Sequence, residues 1–291
     1  MKVLVTGANG QLGKEILLML QASGEDVIGV TRDDIDFSKP DEVAKKIAKH
    51  KADWVINCAA YTQVDKAEEE KELAFLVNRD SAKAVAEGVS KYGGRLLHVS
   101  TDFIFDGTQS HPYSENNIAN PLGVYGQSKW EGEQAVCAVL PSAVILRTAW
   151  VYGMHGNNFV KTMLRLAAER EELRVVDDQI GTPSWTKDIA STILMLIKKN
   201  ASGIYNFTNE GVASWYDFAT AIIEEATQLG LPCKTKSIHP ITSEDYPTPA
   251  KRPHFSVLSK KKIRNMLDEP VRNWREGLVM MMKEIKECAD F

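Results

Sequence analysis

The stretch KVLVTGANGQLG at residues 2–13 decides the fold class of this chain. Residues 2–6 form a short β-branched run that predicts a strand, and an apolar-faced helical segment follows the glycines through Leu20. The glycines have the spacing GxxGxxG, which permits a tight turn, a close approach of a pyrophosphate, and packing of the helix on the sheet. In this strand–turn–helix context the motif predicts dinucleotide binding. The predicted cofactor contacts in the loop are Gly7, Asn9, Gly10, Gln11, Leu12 and Gly13.

Strand-like and helix-like segments keep alternating as far as Trp150. The predicted strands are 25–30, 54–58, 95–100 and 143–148, and the predicted helices between the later strands are 71–92 and 126–140. Such alternation implies right-handed crossovers between parallel strands. The sequence therefore predicts an α/β fold with a Rossmann-type, doubly wound parallel sheet.

The pattern loosens in the second half of the chain, where proline-rich loops separate the helical segments. These segments are 158–170, 186–199, 214–229 and 272–287. They predict a smaller, mixed C-terminal substrate lobe packed over the carboxyl edge of the sheet. We expect a dinucleotide-binding domain over 1–150 with a return segment near 185–208, and a substrate-binding lobe over 151–184 and 209–291.

Composition excludes several classes of protein. Hydrophobic residues make up 44% of the chain and charged residues 25%, as in ordinary globular proteins. A net charge of −4 gives no reason to expect a nucleic-acid partner. No apolar run approaches the roughly 20 residues that span a membrane, and the first residues lack the apolar core of a signal peptide. The four cysteines are scattered and the six histidines show no ligand spacing, so we expect a cytoplasmic protein without a metal site.

Tyr125 and Lys129 lie four residues apart on one face of a predicted helix. A tyrosine has an ordinary pKa of about 10, and a nearby lysine cation lowers it by stabilising the phenolate. Such a pair is suited to general acid–base catalysis. We also expect Tyr125 and Lys129 to contact the cofactor, with the lysine holding the nicotinamide ribose. The segment Ser100-Thr101-Asp102 follows the predicted strand 95–100, which places a hydroxyl at the carboxyl edge where α/β proteins bind ligands.

The residues after the second and third strands predict further cofactor contacts. Arg32 follows the second strand and could meet a 2′-phosphate, which favours NADPH, although neighbouring acidic residues leave NADH open. We expect Asp36 and Phe37 to flank the adenine. The segment Ala59-Ala60-Tyr61, just after the third strand, is expected to lie along the cofactor.

Longer blocks of sequence resemble a known family. The chain resembles the extended short-chain dehydrogenase/reductase family over nearly its full length, and within it the branch that reduces dTDP-linked 4-keto sugars. The blocks that carry the resemblance are GANGQLG at 7–13, NCAAY at 57–61, STDFIFDG at 100–107, VYGQSK at 124–129, RTAWVYG at 147–153, SWYDF at 214–218 and PTPAKRP at 247–253.

This resemblance implies an enzyme that passes a hydride from the nicotinamide to the C4 ketone of dTDP-4-dehydro-L-rhamnose, giving dTDP-L-rhamnose. It implies that Tyr125 protonates the alkoxide, Lys129 lowers its pKa and Thr101 hydrogen-bonds the carbonyl oxygen. It also implies substrate contacts by Thr101, Asp102 and Trp150. A diphosphate needs cationic groups as well, and Arg252 in the proline-stiffened loop 247–253 is our candidate.

The sequence departs from the family pattern at two places. Phe103 stands where many relatives have a tyrosine. Some relatives dimerise through magnesium; Glu15 matches one acidic position, but Lys187 occupies another, so we expect no metal in any homodimer.

Two alternative functions stay open. They are another nucleotide-sugar enzyme of the family, such as an epimerase or 4,6-dehydratase, and a non-catalytic NADP-binding regulatory subunit.

Overall fold

A computed structural model describes residues 1–289 as twelve strands and eleven α-helices. The strands are β1 (Lys2–Thr6), β2 (Asp26–Val30), β3 (Trp54–Asn57), β4 (Arg95–Thr101), β5 (Val144–Thr148), β6 (Val151–Tyr152), β7 (Glu172–Val176), β8 (Ile180–Gly181), β9 (Ser184–Trp185), β10 (Gly203–Asn206), β11 (Ala213–Ser214) and β12 (Ser237–Ile241). The helices are α1 (Gln11–Ala22), α2 (Pro40–His50), α3 (Val64–Ala67), α4 (Lys71–Phe75), α5 (Ser81–Ser90), α6 (Val124–Val139), α7 (Phe159–Glu169), α8 (Thr186–Lys198), α9 (Trp215–Gln228), α10 (Lys261–Arg264) and α11 (Trp274–Ala289).

Six strands form the central sheet in the order β10-β5-β4-β3-β1-β2, and every pair in it is parallel. This confirms the predicted Rossmann-type α/β fold. The chain leaves β1 toward β2 on one side and returns to β3 on the other, so a crevice opens between β1 and β3 at the carboxyl edge. Because all six strands run the same way, the residues that follow them meet at that edge.

Helices cover both faces of this sheet, as a buried parallel sheet requires. On one face Ile16 of α1 and Ile193 of α8 belong to one buried apolar cluster. On the other face Ile47 of α2, Val85 of α5 and Val136 of α6 belong to a second. The segment α8–β10 thus returns from the second half of the chain to complete the sheet, because β10 pairs with β5.

Helices α7, α9 and α11 enclose a third apolar cluster, with Phe218 and Trp185 fully buried inside it. Three short strand pairs, β6–β9, β7–β12 and β8–β11, pack against α9 or α11. Ser214 begins α9 with a capping box, because its hydroxyl accepts from the Asp217 N–H while the Asp217 carboxylate accepts from the Ser214 N–H. No helix within residues 1–289 has the length and apolar character of a membrane crossing.

The predicted helix 71–92 is interrupted by a π-helical turn at Leu76–Asp80, between α4 and α5. Asn78 in this turn is buried and bonds the backbone of Tyr61 twice, with its Nδ2 also 3.0 Å from the Ser128 Oγ. The Asn78 carbonyl approaches Gly132 so closely that a Cβ there would lie 2.1 Å from it. The π turn thereby fixes the position of α6, the helix that carries Tyr125 and Lys129.

Candidate active site

The glycine loop joins β1 to α1 at the crevice. Gly7 has φ +64°, and a Cβ there would lie 2.9 Å from the Ala59 nitrogen. A Cβ on Gly13 would lie 2.3 Å from the Gly7 carbonyl oxygen, so only glycine lets α1 start this close to the loop. Gly10 caps α1 without contributing a side chain, so no side-chain cap occupies the N–H groups of the first turn, which are the groups that bind anions at helix starts.

A loop from the second half of the chain covers this turn. The Asn158 Nδ2 donates to the Gln11 Oε1 at 2.9 Å, while the Asn158 Oδ1 accepts from the Lys161 N–H at the start of α7. Gly156 has φ +65°, and a Cβ there would lie 2.9 Å from the Gln11 Cγ. Gln11 is thus held by the segment after β6, so the two halves of the chain meet at the predicted pyrophosphate position.

The other predicted cofactor residues lie along the same edge. Arg32 is exposed in the turn after β2 and has no hydrogen bond or ion pair to the rest of residues 1–289. Asp36 accepts from the backbone and hydroxyl of Ser38. Phe37 is buried in the core below. Past β3, Ala59 and Ala60 are half-buried, and the Tyr61 hydroxyl donates to Glu70 at 2.6 Å.

The structure brings Thr101, Asp102 and Tyr125 together with Lys129 close by. Thr101 ends β4, and its Oγ1 lies 3.1 Å from the Asp102 Oδ1 and also bonds the Tyr125 hydroxyl. The Lys129 ammonium donates to the Val99 carbonyl at 2.7 Å. Burial raises the pKa of Asp102 to about 6, although hydroxyls bonded to it, including that of Thr101, offset part of the shift.

Burial has the largest effect on the pKa of Tyr125. Loss of solvent around its hydroxyl raises its pKa to about 12, and the Thr101 hydroxyl offsets part of that rise. The lysine nitrogen donates to the Val99 carbonyl on the strand side, and the lowering of the Tyr125 pKa by Lys129 stays a prediction. A tyrosine with a raised pKa stays protonated at neutral pH, as the acid in a reduction must.

Trp150 follows β5 in a strained, left-handed conformation with φ 46°. Its ring stacks on that of Trp215, with the centroids 3.6 Å apart and the planes 5° from parallel. Gly181 makes room beneath, since a Cβ there would lie 2.5 Å from the Trp150 ring. The stack joins the carboxyl edge of the sheet to the start of α9, a pairing that the sequence did not predict.

Arg252 reaches from the proline-rich loop to α3. Its guanidinium forms an ion pair with Asp65 at 2.7 Å and bonds the Thr248 hydroxyl and the Ala250 carbonyl. The Ala250 N–H also donates to Asp65, so one carboxylate holds the loop by two contacts. Arg252, which we predicted to bind the substrate diphosphate, is therefore already bonded to other groups of the protein.

Sequence reasoning missed the buried polar residues beneath the site. Thr6, Asn57 and His98 lie on three neighbouring strands and are each at most 1% exposed. They form a hydrogen-bonded row that ends at Lys129. Thr6 and Asn57 end β1 and β3 directly after apolar residues, and His98 follows two leucines in β4. A polar residue next to each of these apolar runs was the signal that could have found them.

The residues at the family's metal-binding positions are Glu15 and Lys187, and each lies near a side chain of opposite charge. Within residues 1–289 no group of three or more His, Cys, Asp or Glu side chains is placed to hold a metal ion. The Lys187 ammonium lies 2.5 Å from the Glu284 carboxylate. Burial raises the pKa of the nearby Glu15, and the charge of Lys187 lowers it in part.

A parallel six-stranded sheet with a glycine loop, and a Thr–Tyr–Lys group at its carboxyl edge, define an NAD(P)-binding fold of the reductase and epimerase class. The family model described as "RmlD substrate binding domain" matches residues 1–287. The chain belongs to this family.

Named relatives agree with this assignment. The dTDP-4-dehydrorhamnose reductase of Aggregatibacter actinomycetemcomitans is 42% identical over 296 residues, covering 99% of both chains. The dTDP-4-dehydrorhamnose reductase structure from Clostridium acetobutylicum is 40% identical with a TM-score of 0.92, covering 98% of this chain and 100% of that one. The Bacillus anthracis structure of that name, in complex with NADP, is 36% identical with a TM-score of 0.92 and covers 97% and 99%. The predicted resemblance is confirmed.

Proposed function

We propose that this chain is an NADPH-dependent oxidoreductase that reduces the C4 ketone of dTDP-4-dehydro-L-rhamnose to dTDP-L-rhamnose. The observation that carries the proposal is the meeting of Thr101, Tyr125 and Lys129 at the sheet edge beside the glycine loop. These are the groups that a carbonyl reduction needs. The names of relatives that align over nearly the whole chain supply the substrate.

NADPH supplies the hydride when it is bound, and the residues of the chain supply position and a proton. The N–H groups at the start of α1 face the diphosphate, and Arg32, exposed and unpartnered among the described residues, is our assignment for the 2′-phosphate. Tyr125 gives its proton to the alkoxide oxygen that forms at C4. Thr101 holds that oxygen, and Lys129 stabilises the phenolate left behind.

We assign substrate binding to the carboxyl edge and to the lobe formed by residues 151–184 and 209–291. Asp102 and Trp150 contact the sugar at the end of β4 and β5, and Arg252 contacts the diphosphate. Trp150 is half-buried, with its ring covered by Trp215 and Gly181, so we assign the edge of the ring to the sugar. A cytoplasmic location is part of the proposal, supported by free thiols at Cys58, Cys137, Cys233 and Cys288.

Replacing Tyr125 with Phe tests the proposal. Oxidation of NADPH in the presence of dTDP-4-dehydro-L-rhamnose should slow at least ~100-fold, the scale of a lost general acid. NADPH binding should stay close to that of the wild type. Tyr113→Phe is the matched control, since it removes another part-buried hydroxyl, bonded to Asp106 at 3.0 Å and outside the site. Near-normal turnover in Tyr125→Phe would show that the assignment is wrong, and an inactive wild type would favour a regulatory protein.

A further inference from the structure

A row of buried hydrogen bonds runs beneath the sheet edge to the catalytic lysine. The Thr6 Oγ1 lies 2.6 Å from the Asn57 Oδ1, and the Asn57 Nδ2 lies 2.9 Å from the His98 Nδ1. The His98 Nε2 then lies 3.4 Å from the Lys129 Nζ. Lys129 itself is 2% exposed. These side chains contact one another directly, so each one fixes the orientation of the next.

The direction of these bonds follows from the Asn57 carbonyl oxygen, which can only accept. The Ala59 N–H donates to the Thr6 hydroxyl at 3.2 Å, and that hydroxyl gives its own proton to the Asn57 carbonyl oxygen. The amide nitrogen of Asn57 therefore faces His98 and donates to Nδ1. A neutral imidazole carries one proton, so with Nδ1 accepting, the proton lies on Nε2 and points at Lys129.

This arrangement affects how readily Lys129 gives up its proton. An amine nitrogen can accept the Nε2–H of His98, whereas an ammonium has no lone pair and meets it donor to donor. The carbonyl of Val99 holds the same nitrogen from the strand side at 2.7 Å. We propose that His98 is a positioning residue that acts through Lys129: its Nε2–H binds the amine form of the lysine and disfavours the ammonium, which eases the loss of the lysine proton.

The charges around the pair agree with this role. Burial, with the charge of Lys129, lowers the pKa of His98 well below its ordinary value, so the ring stays neutral at neutral pH. Burial lowers the pKa of Lys129 to about 8, and Glu133 on α6 and Cys58 after β3 offset part of that shift. The ammonium form is thus present at pH 7 and is lost as the pH rises through about 8.

The consequence for catalysis rests on the proposed function. Once Tyr125 has given its proton away, the neighbouring lysine must stabilise the phenolate and help to return a proton. A lysine that releases its proton near neutral pH exchanges it readily. We therefore expect the turnover number of the wild type to fall as the pH rises through about 8.

Two conservative replacements test the roles of the two ring nitrogens of His98 separately. His98→Asn keeps an acceptor toward Asn57 and removes the N–H that faces Lys129. His98→Gln places an amide near Lys129 whose oxygen can accept from the ammonium. Both changes favour the charged lysine, so the fall in turnover should move up by about one pH unit, the scale of one hydrogen bond. The shift should be larger for Gln, and the KM for NADPH should rise in both.

Ser100→Ala is the matched control. Ser100 lies on the same strand and donates to Glu133 at 2.5 Å on the same helix, so its loss removes a comparable buried bond one turn from Lys129. The lysine pKa is also read directly, by carbon NMR of labelled lysine in each variant, whether or not the protein proves to be a reductase. The proposal predicts a raised lysine pKa in both His98 variants and a smaller change in Ser100→Ala. If the His98 variants lose stability as Ser100→Ala does but keep the wild-type lysine pKa, His98 is only a structural residue.

Discussion

At the scale of single residues, Arg252 holds the proline-rich loop to α3 through one guanidinium group. Its side chain keeps 23% of its surface exposed, so a second anion can reach it without breaking the ion pair with Asp65. We expect Arg252→Ala to weaken dTDP binding by about 1–3 kcal/mol, the range for a lost charge-assisted contact. Calorimetric titration with dTDP measures this loss.

Asp65→Asn is the control for that experiment, since it removes the carboxylate partner and leaves the guanidinium in place. It should loosen the loop, and thermal unfolding will report that change, while dTDP binding stays equal or tighter. If instead Arg252→Ala binds dTDP as the wild type does, and both variants lose the same stability, Arg252 only ties the loop to the sheet domain.

At the scale of elements, two glycines of the β1–α1 turn allow stability and cofactor binding to be tested separately. A Cβ on Gly13 meets the Gly7 carbonyl at 2.3 Å, which the backbone can relieve only by moving. We expect Gly13→Ala to cost about 1–3 kcal/mol of stability. Gly10 has φ −77°, and a Cβ there is 3.2 Å from the same carbonyl, so Gly10→Ala should fold nearly normally.

The added methyl group of Gly10→Ala nevertheless stands where the pyrophosphate approaches. NADPH binding, followed by fluorescence titration, should weaken in this variant much more than its melting temperature falls. A Gly10→Ala protein that binds NADPH with wild-type affinity would contradict the placement of the diphosphate at the start of α1.

The sequence predicted those elements whose formation depends on local pattern. The strand–glycine–helix unit and the parallel sheet follow from periodicity and turn chemistry, and both are present. The π turn at Leu76–Asp80 could not be predicted, because it is held by the contacts of Asn78 with distant residues. The stack of Trp150 on Trp215 and the facing of His98 toward Lys129 likewise depend on tertiary packing.

At the scale of the whole molecule, Lys187 places a positive charge between Glu284 and the region of Glu15. An internal ammonium there repels a divalent cation and already satisfies one carboxylate. We expect activity and oligomer size to be unchanged by EDTA, as measured by NADPH oxidation and by light scattering after gel filtration. Dissociation of a dimer on addition of EDTA would show that metal holds the assembly together after all.

The return of β10 to the sheet has a consequence for synthesis on the ribosome. Strand β5 ends at Thr148, but its partner β10 begins only at Gly203, after α7 and α8 have been made. At 5–20 residues per second this interval lasts on the order of 3 to 11 seconds. Throughout it the edge of β5 is open and the apolar side of α1 lacks α8, and both features promote association with other chains. A nascent chain of this protein is therefore most in need of a chaperone between the emergence of Thr148 and that of Asn206.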